Sequence, residues 1–295
     1  MRIAFMVAAH TDAKQLENLV NRLAPNEFFD SRIFLHIDAK SDIELFKSSI
    51  QKDYVQLTEK RIDVVRCGIT QVDAGLELIK AAIASAPKFD RYVMITGQDY
   101  PIVSNKKIKE VLSQDCELMR GYKVTGTSMN AKVRKYYFYN KGLTGSKIKE
   151  LFRRFIQLVC KPFSKDDTVD FNGKKWDIYY SSAYFAVSYG LLCELYEKGN
   201  EKDYYNYFKT AICMDEMYFI TIAANGQYRD KLEVVDNQSH TLVDNSAITY
   251  FNYQNRPIVF TQEHYDELKK SGRIFSRKFS SKESHELIKL LETEK

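Results

Sequence analysis

Asp215 and Glu216 are adjacent carboxylates that open an apolar run from Met217 to Ala224. A partly buried carboxyl group beside a second one has its proton affinity raised, so Glu216 could serve as a general base near neutral pH. The plainer alternative is a pair of acids at a helix N-terminus, where the helix dipole favours negative charge. Arg256 and Lys278 are two cations in the C-terminal region. Together they could clamp a diphosphate leaving group by charge alone, or they could be ordinary surface charge. Arg277 adjoins Lys278, but in an extended segment its side chain points to the opposite face. Asp38 and Asp99 each follow an apolar run. A carboxylate at a strand end can accept hydrogen bonds from nucleoside or sugar hydroxyls, and helix or turn capping is the alternative role. His36 and Asp38 offer two metal-ligand types on one strand face, yet the spacing fixes no third ligand.

Side chains so far apart in sequence need a scaffold that brings them together. Ile3 to Ala9 and Ile33 to Ile37 are apolar runs that predict strands, Val64-Val65 predicts a short third one, and Tyr92 to Ile95 predicts a fourth. Between them, residues 12 to 23 and 71 to 84 carry apolar residues at helical spacing. A short helix capped by Ser41 or Asp42 follows the second strand. This alternation predicts an α/β fold with a mostly parallel central sheet flanked by helices. His10, Asp38 and Asp99 then fall just beyond strand C-termini, where open parallel sheets place their ligand crevice. Further on, Tyr184 to Val187 predicts a strand, Leu191 to Lys198 a helix, and residues 262 to 270 another helix. Neither Gly-x-Gly-x-x-Gly nor Gly-x-x-x-x-Gly-Lys-Ser/Thr occurs, which argues against the dinucleotide and P-loop readings.

The 295 residues are 44% hydrophobic and 28% charged, with 12 Gly and 5 Pro, the composition of a folded chain with a substantial core. They read as a single domain, 1–295. No run reaches the roughly 18 to 20 apolar residues of a membrane span. The apolar start is interrupted at once by His10, Asp12 and Lys14 and reads as a buried strand rather than a targeting segment. Five scattered cysteines with no Cys-x-x-Cys pair argue against a disulfide scaffold or a cysteine zinc site and for a reducing compartment. Twenty Tyr suit either polar sugar pockets or plain burial. The formal net charge of +5 is unevenly spread: residues 121–165 hold 11 Lys or Arg against the single acid Glu150. Within that basic, Tyr-rich insert, residues 146 to 160 predict a helix with Leu151, Phe152, Phe155, Ile156 and Val159 as its apolar residues. It is either packed on the domain or laid on an anionic membrane. No nucleic-acid-binding module is recognisable.

Several segments in order resemble the core-2/I-branching glycosyltransferase family. They are Ala8-Ala9-His10, the run Phe34 to Ser41 with Asp38, and Tyr92 to Pro101 with Thr96-Gly97-Gln98-Asp99. Ser182 to Ser188, Met214-Asp215-Glu216, Arg256-Pro257 and Phe275 to Phe279 complete the set. The sequence departs from the family with Ser181 in place of a glycine and Met214 in place of a proline. The resemblance implies a GT-A-type nucleotide-sugar fold, with residues 1–101 as the nucleotide-binding half and 176–280 as the acceptor and catalytic half. It implies an inverting, metal-independent transfer of a sugar, N-acetylglucosamine first, from a UDP-sugar to a saccharide hydroxyl. Glu216 would be the base, and Arg256 and Lys278 would hold the diphosphate. Ala8, His10 and Asp38 would line the uridine pocket, and Asp99 and Tyr184 would lie near the sugars. No metal or other cofactor is expected, and nucleic acid is not an expected partner. The chain is expected in the cytoplasm, with peripheral membrane contact where lipid-linked acceptors sit, making cell-surface polysaccharide. A xylosyltransferase or other UDP-sugar transferase is the alternative within the scaffold, and a non-catalytic saccharide-binding protein the alternative outside it.

Overall fold

A computed structural model describes residues 1–137, 147–235, 246–253 and 257–293. The chain opens with strand β1 (Arg2–Ala9), helix α1 (Ala13–Arg22), β2 (Asp30–Ile37), α2 (Lys47–Ile50), β3 (Val55–Leu57), α3 (Thr70–Ala84) and β4 (Arg91–Thr96). It continues through β5 (Asp99–Pro101), α4 (Asn105–Leu112), β6 (Arg120–Lys123), α5 (Asn130–Arg134) and α6 (Lys147–Val159). Next come β7 (Thr168–Phe171), β8 (Lys174–Asp177), β9 (Tyr179–Ser181), β10 (Phe185–Val187), α7 (Tyr189–Gly199), α8 (Lys202–Phe208), α9 (Tyr218–Asn225) and β11 (Glu233–Val234). The last elements are β12 (Thr249–Phe251), α10 (Tyr265–Lys270), β13 (Phe275–Arg277) and α11 (His285–Glu292).

The central sheet runs β10-β4-β1-β2-β3, with β1 to β4 parallel and β10 antiparallel at the edge. This is the mixed α/β architecture that the alternating pattern predicts. Alternation along β1 divides the interior in two. Ile3, Phe5 and Val7 pack with Leu16, Leu19 and Val20 of α1 on one face. Ala4 and Met6 pack with Val72, Leu76 and Ile79 of α3 on the other. Each fully buried aliphatic side chain here contributes roughly 1.5–3 kcal/mol. Asp12 caps α1 by accepting the Gln15 N–H at 3.1 Å, and its other oxygen accepts the Ser281 N–H at 2.9 Å. Among the described residues there are also two three-stranded sheets, β11-β6-β9 and β12-β13-β5, and the two-stranded β7-β8.

One strand is not where the apolar pair implied. The edge strand is Val55–Leu57, paired with Ile33 to Leu35, while Val64 and Val65 form no strand. Their backbone groups are taken by side chains: the Val64 carbonyl accepts from Lys40 Nζ at 2.6 Å, and the Val65 N–H donates to Thr70 Oγ1 at 2.7 Å. The basic helix forms as expected; Arg153, Ile156 and Gln157 on it are half-buried, but most of its apolar side chains are left exposed. No residue of α6 is buried, and Ile148 and Leu158 are 81% and 68% exposed. Among the described residues, no helix is long and apolar enough to cross a membrane.

Candidate active site

Register places the ends of β1, β2 and β4 side by side, with Ala9 opposite Ile37 and Ala8 opposite Thr96. Outside those carboxyl ends lies a cleft of about 520 Å³. Ala8, His10, Asp38, Tyr184, Glu216 and Lys278 all line it, so the structure gathers most of the sequence-predicted residues in one place. Gly97 makes the floor possible. A Cβ there would stand 3.1 Å from the Ala9 Cβ and 3.3 Å from Leu16, so the turn after β4 closes onto β1 only without a side chain.

At the β2 end, Asp38 is held rigidly. Its Oδ1 accepts the Lys40 N–H at 2.9 Å and lies 3.2 Å from Lys40 Nζ, and Arg61 binds its carbonyl at 2.8 Å. His36 is buried, and its Nε2 accepts the Ile62 N–H at 2.8 Å. That lone pair is therefore occupied and does not face a metal. Burial lowers the His36 pKa, which keeps the ring neutral. His10 is lowered too, by burial first and then by Arg277. Among the described residues, no group of three His, Cys, Asp or Glu is gathered that could hold a metal ion.

The two acids sit in a single helical turn, Met214–Glu216, between Cys213 and α9. Glu216 Oε2 accepts from Lys132 Nζ at 2.5 Å, and that ammonium also lies 4.9 Å from the Tyr180 ring centre. Burial opposes the charge on Lys132, but Glu216 beside it raises its pKa on balance. Asp215 takes a different partner, accepting from the Gln71 amide of α3 at 3.0 Å. Burial first, and then the Glu216 charge, push the Asp215 carboxyl up to about 7. The neighbouring-carboxylate effect anticipated from sequence thus acts on Asp215, while Glu216 is the member that holds a cation.

The third side of the cleft is built by β13. It pairs antiparallel with β5 so that Arg277 faces Asp99 across the ladder. Asp99 is 0% exposed and does not itself line the cleft. Its carboxylate accepts from the Thr96 N–H at 2.8 Å and the Thr96 hydroxyl at 3.0 Å, and stands 3.5 Å from Arg277 Nη1. Burial raises its pKa, and the Arg277 charge works against that rise. The Arg277 guanidinium also bonds the Thr96 hydroxyl and lies 5.9 Å from the Tyr184 ring centre. Tyr184 packs against Phe251 at 5.3 Å, and burial pushes its phenol pKa upward. Arg277 reaches the cleft together with Lys278, contrary to the opposite-face expectation. The strand ends at Arg277, so the alternation rule does not extend to the next residue. Arg256 lies outside the described residues.

Sequence reasoning missed Arg277, Lys132, Gln71 and Arg66. For Arg277 the usable signal was register: a strand that brings an arginine opposite a buried aspartate orients both. Lys132 carried no signal of its own, since it was one of the 11 cations between residues 121 and 165. Gln71 and Arg66, both at the cleft, flank the turn into α3, which a helix-face reading treats as packing.

A model of the Core-2/I-Branching enzyme family matches residues 3–270. The chain belongs to that family. A zebrafish (Danio rerio) relative, named beta-1,3-galactosyl-O-glycosyl-glycoprotein beta-1,6-N-acetylglucosaminyltransferase 4, is 20% identical over 308 residues, covering 98% of this chain and 68% of that protein. Among solved structures, S. aureus TarS 1–349 in complex with UDP-GlcNAc covers 81% of this Core-2/I-Branching chain at 12% identity and a TM-score of 0.39. This chain spans 57% of the length of that one. The galactosyltransferase LgtC, in complex with donor and acceptor sugar analogs, covers 99% of this chain and 95% of its own at 8% identity and a TM-score of 0.43. The family marks a glycosyltransferase-type enzyme. The family match ends at residue 270, before the strand that brings Arg277 to the cleft.

Proposed function

We propose that this Core-2/I-Branching enzyme is an inverting, metal-independent transferase that moves N-acetylglucosamine from UDP-N-acetylglucosamine to a saccharide hydroxyl. The juxtaposition of a carboxylate, Glu216, and two cations, Arg277 and Lys278, in one cleft at the strand ends carries the reading. Glu216 takes the proton of the acceptor hydroxyl as that oxygen attacks C1 of the donor sugar and the C1–O bond to UDP breaks. Lys132 holds one Glu216 oxygen in place and leaves the second carboxylate oxygen for the hydroxyl. Lys278, with Arg277 and with the Arg256 implied by the family resemblance, takes up the charge appearing on the diphosphate. That supplies electrostatically what a divalent ion supplies elsewhere. Ala8, His10 and Asp38 border the uridine, and Tyr184 with the Asp99-oriented Arg277 borders the donor sugar. Residues 1–101 form the nucleotide half and 176–280 the acceptor half of one domain, 1–295.

A thermal-shift panel with UDP, UDP-N-acetylglucosamine, UDP-xylose, UDP-galactose and UDP-glucose tests the donor, because any ligand bound only by the folded state raises the midpoint. UDP-N-acetylglucosamine is expected to give the largest shift, and transfer from it is expected to persist in EDTA. A larger shift with UDP-xylose would make the enzyme a xylosyltransferase. Saccharide binding without transfer from any donor would leave a binding protein.

The exposed apolar face of α6 supports an acceptor held at a membrane. Leu151 and Phe155 of α6 and Phe163 just after it are 70%, 61% and 74% exposed, beside Lys147, Lys149, Arg154 and Lys161. An apolar face edged with cations fits the interface of an anionic bilayer. The segment after the helix is tied close to the cleft: the Lys165 N–H donates to the Arg134 carbonyl at 3.1 Å, two residues from Lys132. This supports a cytoplasmic enzyme bound peripherally to the membrane, working on a lipid-linked acceptor for cell-surface polysaccharide. In co-sedimentation, vesicles with an anionic lipid are expected to carry down the protein at low salt and release it at high salt. Phe155→Glu with Leu151→Glu should abolish the binding, and equal binding to neutral vesicles would refute the charge argument.

A further inference from the structure

Cys67, just before α3, and Cys213, just before the turn that carries Asp215 and Glu216, meet in the cleft wall. Neither is used in the proposed transfer. The Cys213 N–H donates to the Cys67 carbonyl at 2.9 Å, and both residues hold left-handed backbone angles, φ 63° and 54°. Non-glycine residues enter that region rarely, and such positions concentrate at functional sites. The two thiols are hydrogen-bonded to each other, and each is half-buried. The backbone bond and the contact between the thiols hold the two residues side by side, the arrangement from which a disulfide can form. The thiols are also unequal. The hydrogen bond from Cys213, the leading effect, lowers the Cys67 thiol to about 7, while the Cys213 thiol is pushed up by the same contact. This is the division between an attacking thiolate and a resolving thiol.

We propose that Cys67 and Cys213 form a reversible oxidation site, in which a hydroperoxide converts the two thiols into a disulfide in the wall of the cleft. The Cys67 thiolate attacks the peroxide oxygen and breaks the O–O bond, giving a sulfenic acid and, after protonation, an alcohol or water. The Cys213 sulfur then attacks the Cys67 sulfur, and the hydroxyl leaves as water with the Cys213 proton. Two thiols lose two protons and two electrons, and the peroxide takes up the same two protons and two electrons.

The bond would act on the cleft through its position. Cys213 is followed by Met214, Asp215 and Glu216, and Cys67 donates its backbone N–H to the Gln71 side chain that also holds Asp215. Drawing two hydrogen-bonded sulfurs to a covalent separation of about 2.05 Å pulls the acid-bearing turn toward α3. A displacement of about 1 Å at a reacting group costs about 10²-fold. This consequence rests on the reading of Glu216 as the base, whereas the sulfur chemistry does not.

The reduced full chain is treated with equimolar hydrogen peroxide and divided between non-reducing peptide mapping and a transfer assay. A linked peptide containing Cys67 and Cys213, lighter than its parts by two hydrogens, is expected, with transfer about 10²-fold lower and restored by dithiothreitol. Cys67→Ser and Cys213→Ser, each compared with its own untreated sample, should show neither the link nor the loss. Retention of both thiols, linkage to Cys116, Cys160 or Cys193, or arrest at a sulfinic acid would overturn the site. A link that leaves transfer unchanged would overturn its effect on the cleft. A chain that transfers nothing even when reduced would count against the transferase reading, and the peptide map would still decide the thiol chemistry.

Discussion

Glu216→Gln is expected to lower kcat by about 10²–10⁴-fold while leaving UDP affinity within about twofold. The substitution keeps the shape of the side chain and its acceptor oxygen for Lys132, and removes only the capacity to take a proton. UDP should be insensitive to it, because the proposed diphosphate contacts come from the β13 side of the cleft. Asp215→Asn is the necessary companion, since Asp215 has the carboxyl pushed up to about 7 and would be the natural choice on proton affinity alone. Its partner is the Gln71 amide, which fixes it against α3. Asp215→Asn should therefore retain transfer within about tenfold. A rate loss confined to Asp215→Asn, with Glu216→Gln active, would move the base to Asp215. Unchanged turnover in both would remove carboxylate base catalysis from the proposal.

Replacing Arg277 should have two separable effects. Arg277→Met removes a cation from the cleft and leaves Asp99, at 0% exposure, without its counter-ion. The first effect is a loss of UDP affinity of about 10- to 100-fold, from a charge-assisted hydrogen bond of about 1.5–3 kcal/mol. The second is a loss of about 3–5 kcal/mol of stability, the usual result of breaking one side of a buried ion pair. Adding Asp99→Asn should recover much of the stability and none of the affinity, because it relieves the stranded charge without restoring the cation. Lys278→Ala should lower UDP affinity to a similar degree and change stability by less than about 1 kcal/mol. Denaturant melts with UDP titrations on the four proteins give both readouts. Full recovery of affinity in the double variant would show that Arg277 acts only as a structural partner of Asp99.

The frame of the site was legible because strand-end polarity follows from periodicity. Apolar runs at Ile3–Ala9, Ile33–Ile37 and Tyr92–Ile95 fix the parallel strands, and His10 and Asp38 then fall at the cleft without further information. What escaped was set by pairings that local pattern does not encode. Arg277 is oriented by a ladder contact with Asp99, 178 residues away, and Lys132 by an ion pair with Glu216, 84 residues away. Val64 and Val65 show the converse error. Apolar character alone implied a strand, and side-chain bonds to Lys40 and Thr70 used the backbone groups a strand would need. The family resemblance raised Glu216 and Lys278 as candidates, and the structure added the partners that constrain the acid.

The ladder that seats Arg277 against Asp99 also sets a schedule for making the protein. Asp99 emerges 178 residues before its counter-ion, an interval of roughly 10–35 s at translation rates of about 5–20 residues per second. Throughout that interval β5 has no partner strand, and the Asp99 carboxylate has a reason to remain in water rather than seal behind β4. The parallel core of β1, β2 and β4 can assemble early, because its strands lie within the first third of the chain. The cation side of the cleft cannot exist until the closing strand arrives. A ribosome-bound intermediate would thus be a sheet with an open edge and without the proposed phosphate site, and ligand could stabilise only a chain that includes β13.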